Sequence, residues 1–158
     1  MQKLYKLTDD TKRYWEWWAS EPREYLVHWG ELGTQGESKT VKSGPFGSIP
    51  NSILRERDEL ARDGYTSVKP EDHSILMIEY PVDGMGTSAD LEKRHRLEDR
   101  MNETLGWTGL GMCDGGSIGG GTMEVCCVVV DFDVAKRVIE DDLSNSEFRD
   151  YGNIYREE

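Results

Sequence analysis

The sequence predicts an α+β protein of two domains, and three observations support this. Short runs rich in aromatic and β-branched residues alternate with stretches of helical period. A polar segment with a proline, KPEDHS at 69–74, separates two regions of different pattern. The charge changes there too: residues 1–75 hold 11 Lys and Arg against 13 Asp and Glu, a net of −2, whereas 76–158 hold 8 against 18, a net of −10. We expect one domain at 1–70 and another at 74–158.

The first domain is predicted to be a small antiparallel sheet with one helix. The stretches KRYWEWW at 12–18 and YLVHW at 25–29 predict strands, a glycine-rich turn follows at 30–38, and residues 40–44 extend the sheet. The segment 50–65 has helical period. We expect Asn51 or Ser52 to cap this helix and Gly64 to stop it. Its apolar side is formed by Ile53, Leu54 and Leu60.

The second domain shows an order of elements that indicates its topology. Strands are predicted at 74–82, 108–114, 122–131 and about 151–155, and helices at 88–106, with Ser88 as cap and Gly106 as stop, and at 133–143, capped by Asp131 or Asp133. The order strand, helix, strand, strand, helix, strand is that of a ferredoxin-like βαββαβ sandwich. Such a fold hosts many unrelated functions and identifies none of them.

The glycine-rich segment GGSIGGGT at 115–122 is predicted to be the tip of the hairpin between two strands. A phosphate-binding loop requires a lysine followed by Ser or Thr and then a helix, and neither is present here. We therefore expect no nucleotide at this position.

The cysteines and histidines predict neither a metal site nor a cofactor. None of the three histidines is at metal-ligand spacing from another histidine or from a cysteine pair. Cys113 lies across the predicted hairpin from Cys126 and Cys127, which leaves a redox pair as an alternative to buried thiols, but no CxxC motif occurs. No catalytic constellation is recognisable, so we expect a non-enzymatic protein.

The cellular location predicted from the sequence is the cytoplasm. The three cysteines are an odd number and favour free thiols in a reducing compartment. The N-terminal residues lack the apolar core of a signal peptide, and the longest apolar run, VCCVVV at 125–130, is too short to cross a bilayer. We expect no membrane partner.

Three motifs follow one another in the first domain: KRYWEWW at 12–18, VHWGELGTQGES at 27–38 and RDGYTSV at 62–68. Within them, Trp29-Gly30 precedes a glycine turn that begins GTQG, and a helix ends in Gly64-Tyr65. From residue 1 to about 68 this succession resembles the WGR domain, which pairs an aromatic strand with a Trp-Gly-Arg motif, a GTxGQ turn and a helix ending in Gly-Tyr.

The resemblance implies nucleic-acid binding, because WGR domains of poly(ADP-ribose) polymerases bind DNA ends. It implies that Trp29 stacks on the ligand and that the adjacent Gly30 belongs to the same binding site. The nearby Lys39 and Lys42 would contact phosphates. Two positions depart from the family: Glu31 replaces the arginine of the motif, and Glu37 replaces the glutamine after the turn. Both carboxylates repel phosphate, so we expect weakened nucleic-acid binding.

The acidity of the second domain predicts a different partner. Glu140, Asp141 and Asp142 lie near the end of a predicted helix, where they oppose the helix dipole. They are our candidate acidic surface for a basic protein. Two hypotheses follow: an adaptor that binds nucleic acid or protein through a WGR-like domain, and an acidic inhibitor or immunity-type protein that neutralises a basic protein such as a nuclease.

Overall fold

The structure is a computed structural model that describes residues 1–157. Its contacts divide into two compact units, Met1–Lys69 and Pro70–Glu158. Across the described residues there are two four-stranded antiparallel sheets and three α-helices, so the predicted α+β class is confirmed.

The first unit is a meander of four strands followed by one helix. The strands lie in the sheet in chain order, each antiparallel to its neighbour. They are β1 (Gln2–Leu7), β2 (Lys12–Glu21), β3 (Glu24–Glu31) and β4 (Glu37–Lys42), and the helix is α1 (Asn51–Arg62).

The apolar face of this sheet holds the core of the first unit. Strand residues alternate between faces, and in the middle of β2 and β3 every second residue is aromatic or aliphatic. The buried members of this cluster are Leu4, Trp15, Trp17, Val27, Ile53 and Tyr65. Trp29 packs at its margin and is partly buried.

Helix α1 stops at the predicted glycine, but its start differs from the prediction. The residue before the first turn is Pro50, which makes no side-chain cap, so the cap expected at Asn51 or Ser52 is wrong. Gly64 has a φ of 91°, and the Tyr65 amide donates to the Leu60 carbonyl at 3.0 Å. This is a Schellman ending, which needs the left-handed backbone that glycine adopts without strain.

The second unit has the predicted strand, helix, strand, strand, helix, strand order. Its strands lie in the order β6-β7-β5-β8, so the two central strands, β7 and β5, are the third and the first strands of this unit along the chain. The elements are β5 (Ser74–Pro81), α2 (Ser88–Trp107), β6 (Gly111–Gly119), β7 (Thr122–Val129), α3 (Phe132–Ser144) and β8 (Asn153–Glu157).

The core of the second unit is almost wholly apolar. Alternate residues of β5 and β7 are buried together with the inner sides of α2 and α3. Its fully buried side chains include Leu76, Ile78, Leu97, Leu105, Met123, Val125 and Ile139.

The N-cap of α2 and the glycine that stops it lie one and three residues away from the predicted Ser88 and Gly106. Thr87, not Ser88, is the N-cap, and it forms a reciprocal capping box with Asp90. The helix continues through Gly106, and Gly109, with a φ of 69°, takes the chain out of it. For α3 the structure selects Asp131, whose carboxylate accepts from the Val134 amide.

The glycine-rich segment 115–121 forms a strand for most of its length, so the prediction of a hairpin tip there is too broad. Strand β6 runs through Gly119, which leaves Gly120 and Gly121 for the turn. A Cβ on Gly116 would lie 3.2 Å from Arg94 Cδ and against the Glu124 carbonyl oxygen. Glycine therefore lets α2 and β7 approach this strand closely.

Candidate functional site

The predicted site residues Trp29 and Gly30 line a cleft at one end of the first sheet. The cleft has a volume of about 360 Å³, and we call it the Trp29 cleft. Its other lining residues are Arg13, Glu31, Gly36 and Glu37. One indole ring thus lies in the same lining as two carboxylates and one guanidinium, and Arg13 pairs in register with Glu31 across the strands.

Two glycines let the chain fold back over β3 to form this cleft. An ideal Cβ on Gly30 would lie 2.7 Å from the Gly36 Cα, which is closer than side chains pack. Gly36 has a φ of 60°, and a Cβ there would meet the Trp29 carbonyl oxygen. The glycines of the WG and GTQG motifs are therefore required by close backbone approach and by a left-handed turn.

The two lysines predicted to contact phosphate are engaged within the first unit. Lys39 Nζ lies 2.7 Å from Glu56 Oε2 and 5.3 Å from the centroid of the Trp29 ring. The other carboxylate oxygen of Glu56 accepts from the Trp15 indole N–H at 3.0 Å. Lys42 Nζ lies 3.4 Å from Glu24 Oε1. Neither lysine is among the residues that line the cleft, although Lys39 lies over the Trp29 ring.

A buried polar network lies on the sheet face opposite the apolar core, and the sequence reasoning missed it. His28 is 1% exposed and Glu16 is 3% exposed. His28 Nδ1 lies 2.9 Å from Glu16 Oε1, and His28 Nε2 lies 2.7 Å from the Gln35 carbonyl oxygen. The imidazole ring therefore bridges the Glu16 carboxylate in β2 and the Gln35 carbonyl of the following turn.

Lys3 and Tyr14 complete the network, which we call the Glu16–His28 network. Lys3 Nζ lies 2.8 Å from Glu16 Oε2, and the Tyr14 hydroxyl lies 2.9 Å from His28 Nε2. The same hydroxyl donates to the Thr34 carbonyl at 3.0 Å. Burial, and after it the charge of Glu16, raises the pKa of Tyr14. The network therefore fixes the 34–36 turn that forms one wall of the Trp29 cleft.

The predicted acidic surface on α3 is largely held in ion pairs. Arg100 Nε donates to Asp142 Oδ2 at 2.7 Å, and the Thr104 hydroxyl donates to the same oxygen at 3.1 Å, which ties α3 to α2. Glu140 lies 3.9 Å from Lys136 one turn earlier, and Asp141 is exposed. Only Asp141 of the three predicted residues therefore extends into solvent without such a salt bridge.

A second acidic surface lies on the sheet of the second unit. Glu79 and Glu124 are directly opposed on neighbouring strands, and they alternate with the buried Ile78 and Val125. Like charges in opposed positions destabilise a sheet. The Tyr155 hydroxyl donates to Glu124 Oε1 at 3.3 Å, and its pKa is raised by burial first and then by Glu124. We call this pair the acidic sheet face.

The whole net charge of the chain belongs to the second unit. Residues 1–69 contain 11 basic and 11 acidic residues and are neutral, whereas residues 70–158 contain 8 basic against 20 acidic, a net of −12. The chain therefore carries its negative field on one unit and the Trp29 cleft on the other.

Comparisons of the chain with protein families, with curated proteins and with solved structures found no match. Among residues 1–157, no group of three or more His, Cys, Asp or Glu side chains is arranged to hold a metal ion. In the same residues, no helix has both the length and the apolar character needed to span a membrane.

Proposed function

We propose that the chain is a non-enzymatic, cytoplasmic binding protein whose WGR-like first unit takes a basic segment of a protein partner at the Trp29 cleft. The observation that carries the proposal is the lining of the cleft, in which Glu31 and Glu37 stand beside an indole ring. An aromatic ring and nearby carboxylates suit a cationic side chain, because the ring face attracts the cation and the carboxylates pair with it.

The lysines favour a protein partner over nucleic acid. A phosphate would have to compete with Glu56 for Lys39 and with Glu24 for Lys42. It would also approach Glu31 and Glu37, which repel it. The first unit is neutral and offers no excess positive charge, whereas phosphate binding draws most of its affinity from such charge.

The acidic second unit is assigned the role of steering the partner. A net charge of −12 raises the rate at which basic proteins are encountered, with an effect that decreases as salt is added. The opposed carboxylates of the acidic sheet face also favour the second hypothesis, an inhibitor that neutralises a basic protein directly. In that case the second unit, not the cleft, makes the main contact.

The test is fluorescence anisotropy of the full chain with two labelled probes across a salt series. The probes are a short peptide rich in Arg and Lys and a nicked DNA duplex. We expect the peptide to bind, and the double variant Glu31→Gln, Glu37→Gln to weaken it about threefold to tenfold, since exposed charge pairs contribute about 0.2–1 kcal/mol each.

The matched control removes the same charge from the same unit outside the cleft. Glu21 and Glu59 are exposed and do not line the cleft, so Glu21→Gln, Glu59→Gln should leave affinity within a factor of about two. Equal losses in both double variants would remove the cleft from the proposal. Peptide binding that depends instead on Glu79 and Glu124 would support the inhibitor hypothesis.

The DNA probe decides the remaining alternative. Tight duplex binding with a steep salt slope, reduced by Lys39→Ala and Lys42→Ala, would replace the protein partner with nucleic acid. Duplex binding that is absent at low salt would leave the basic protein as the partner.

A further inference from the structure

Two cysteines face each other across neighbouring strands of the second unit. Cys113 in β6 and Cys127 in β7 are partners in register. Cys127 is fully buried, whereas Cys113 is half-buried on the edge strand of the sheet. The Cys113 thiol is therefore the outer, partly exposed one of the pair, and the Cys127 thiol is the inner, buried one.

The local backbone brings these two side chains close together. The Cys113 amide donates to Asn102 Oδ1 of α2 at 3.0 Å, so it does not form a ladder hydrogen bond with Cys127. Opposed residues that do not exchange ladder hydrogen bonds have the shortest separation in an antiparallel pair. The register then shifts between Cys113 and Gly116, a bulge in which Gly115 has a φ of 95°. Bulges redirect the neighbouring side chain and recur next to functional sites.

The electrostatics of the pair divide the two thiols into different roles. The pKa of Cys113 is lowered, chiefly because the Cys127 thiol donates a hydrogen bond to its sulfur, although burial opposes this. The same hydrogen bond, together with burial, raises the pKa of Cys127. Cys126 points to the opposite face of the sheet, and burial raises its pKa. Cys113 is thus the favoured thiolate of the three, with a proton-bearing thiol beside it.

We propose that Cys113 and Cys127 form a dithiol site that reacts with low-molecular-mass organic disulfides, with Cys113 as the attacking sulfur and Cys127 as the resolving one. The site is separate from the Trp29 cleft and does not depend on the function proposed for it. Its substrate class is a small disulfide such as that of glutathione, since only the outer sulfur is accessible.

The reaction proceeds by two thiol–disulfide exchanges. The Cys113 thiolate attacks one sulfur of RSSR, so that a Cys113–SR bond forms as the S–S bond breaks, and the departing RS⁻ takes up the proton that Cys113 gave to solvent. Cys127 then loses its proton and attacks Cys113 Sγ, which closes the Cys113–Cys127 disulfide and releases the second RS⁻, protonated in turn. Two protein thiols are oxidised, and one organic disulfide is reduced to two thiols.

The deciding experiment treats the full chain and its Cys126→Ser variant with glutathione disulfide and follows the intact mass. In this variant only Cys113 and Cys127 remain. We expect both proteins to lose two hydrogens and to retain no glutathione, and a thiol reductant to reverse the change. Cleavage after Glu124 separates Cys113 from the other two cysteines, so linked peptides identify the bond. A Cys126→Ser protein that stays unreacted, or that keeps one glutathione without closing, overturns the proposal.

Two further variants assign the roles of the sulfurs. Cys127→Ala, which keeps the buried position apolar, should stop at a mixed disulfide on Cys113, and Cys113→Ser should take up glutathione at least about tenfold more slowly. Circular dichroism verifies that each variant is folded. If Cys127→Ala closes with Cys126 as fast as the natural chain, the assignment of Cys127 is wrong; if that variant does not fold, the Cys126→Ser result alone decides.

Discussion

The two sheets of the molecule bury their central strands with different chemistry. In the first unit, one face of the sheet is apolar and the other encloses the Glu16–His28 network, with Lys3 and Tyr14 bound to it. In the second unit, the buried face of β5 and β7 is made of aliphatic side chains together with Tyr80, Met123 and Cys127. A charged network is sensitive to the loss of one member, whereas an apolar core loses stability in proportion to the volume removed.

The polar and charged residues of the two units also serve different purposes. The Glu16–His28 network is bonded to the Thr34 and Gln35 carbonyls through Tyr14 and His28, so the buried polar groups of the first unit hold the wall of the Trp29 cleft. The charges of the second unit lie mostly at its surface, where they form ion pairs between elements or the acidic sheet face. Buried charge positions a site in one unit, while surface charge creates a field in the other.

The largest effect is expected from removing one charge of the network. Glu16→Gln should destabilise the first unit by about 3–5 kcal/mol, because it removes the buried carboxylate that pairs with Lys3 and contacts His28. Four of the five tryptophans, Trp15, Trp17, Trp18 and Trp29, belong to this unit, so intrinsic fluorescence during urea unfolding measures the loss.

A paired variant provides the control for that prediction. Glu16→Leu combined with His28→Leu removes both partners of the buried contact and should recover much of the stability, since apolar replacement of a whole buried pair is often neutral. A cost below about 1 kcal/mol for Glu16→Gln alone would show that the network contributes little and would end the contrast between the two sheets.

A smaller and more variable loss is expected from the core of the second unit. Leu97→Ala should cost about 2–5 kcal/mol, because the side chain is fully buried and its removal leaves a cavity. Hydrogen exchange with mass spectrometry of peptides from α2 and α3 measures the change. The exposed Leu91 of the same helix is the matched control, for which alanine should change exchange little. Similar losses at both positions would contradict the burial of Leu97 in the apolar core.

A still smaller effect distinguishes structural from free charge on α3. Asp142→Asn should lower stability by about 1 kcal/mol, because its carboxylate joins Arg100 and Thr104 of α2 in a partly exposed ion pair. Asp141→Asn removes the same charge from the neighbouring exposed position and should leave thermal unfolding unchanged. If the two variants unfold alike, the Arg100 pair does not stabilise the second unit.

The smallest effect is a pH dependence at the start of α2. The Thr87 hydroxyl and amide donate to Asp90, and these hydrogen bonds lower the pKa of its carboxyl. A lowered folded pKa contributes stability above the unfolded value near 3.9, and this stability is lost as pH falls through the folded pKa. Asp90→Asn should therefore be less stable than the natural chain at pH 7 and lose that difference in acid. A difference that persists unchanged below about pH 2 would exclude this carboxylate as its source.

The sequence was sufficient for the fold because hydrophobic period and glycine turns agree with each other along the chain. Alternation in β2 and β3, and the strand and helix order after Pro70, lead directly to the two sheets. The first residues of the helices were harder to predict from the sequence. Thr87 and Ser88 are both good caps, and only the reciprocal bond to Asp90 selects Thr87.

The candidate site could be predicted only in part from the sequence. Trp29 and Gly30 do line the cleft, but Lys39 and Lys42 are engaged by glutamates that are distant in sequence or lie in the preceding strand. The Glu16–His28 network was missed because polar residues alternating with tryptophans in a strand ordinarily face solvent. The only signal was a histidine placed opposite a glutamate and near a tyrosine, and its burial depends on the glycines that bring the turn back over it.

Strand β4 has a consequence for how copies of the chain meet. It is an edge of the first sheet, so the outward amide and carbonyl groups of its backbone form a template on which another strand can add. Glu37, Lys39 and Lys42 distribute charge of both signs along that edge. A second copy adding edge to edge would have to desolvate these groups, and this protects the sheet from growing into aggregates.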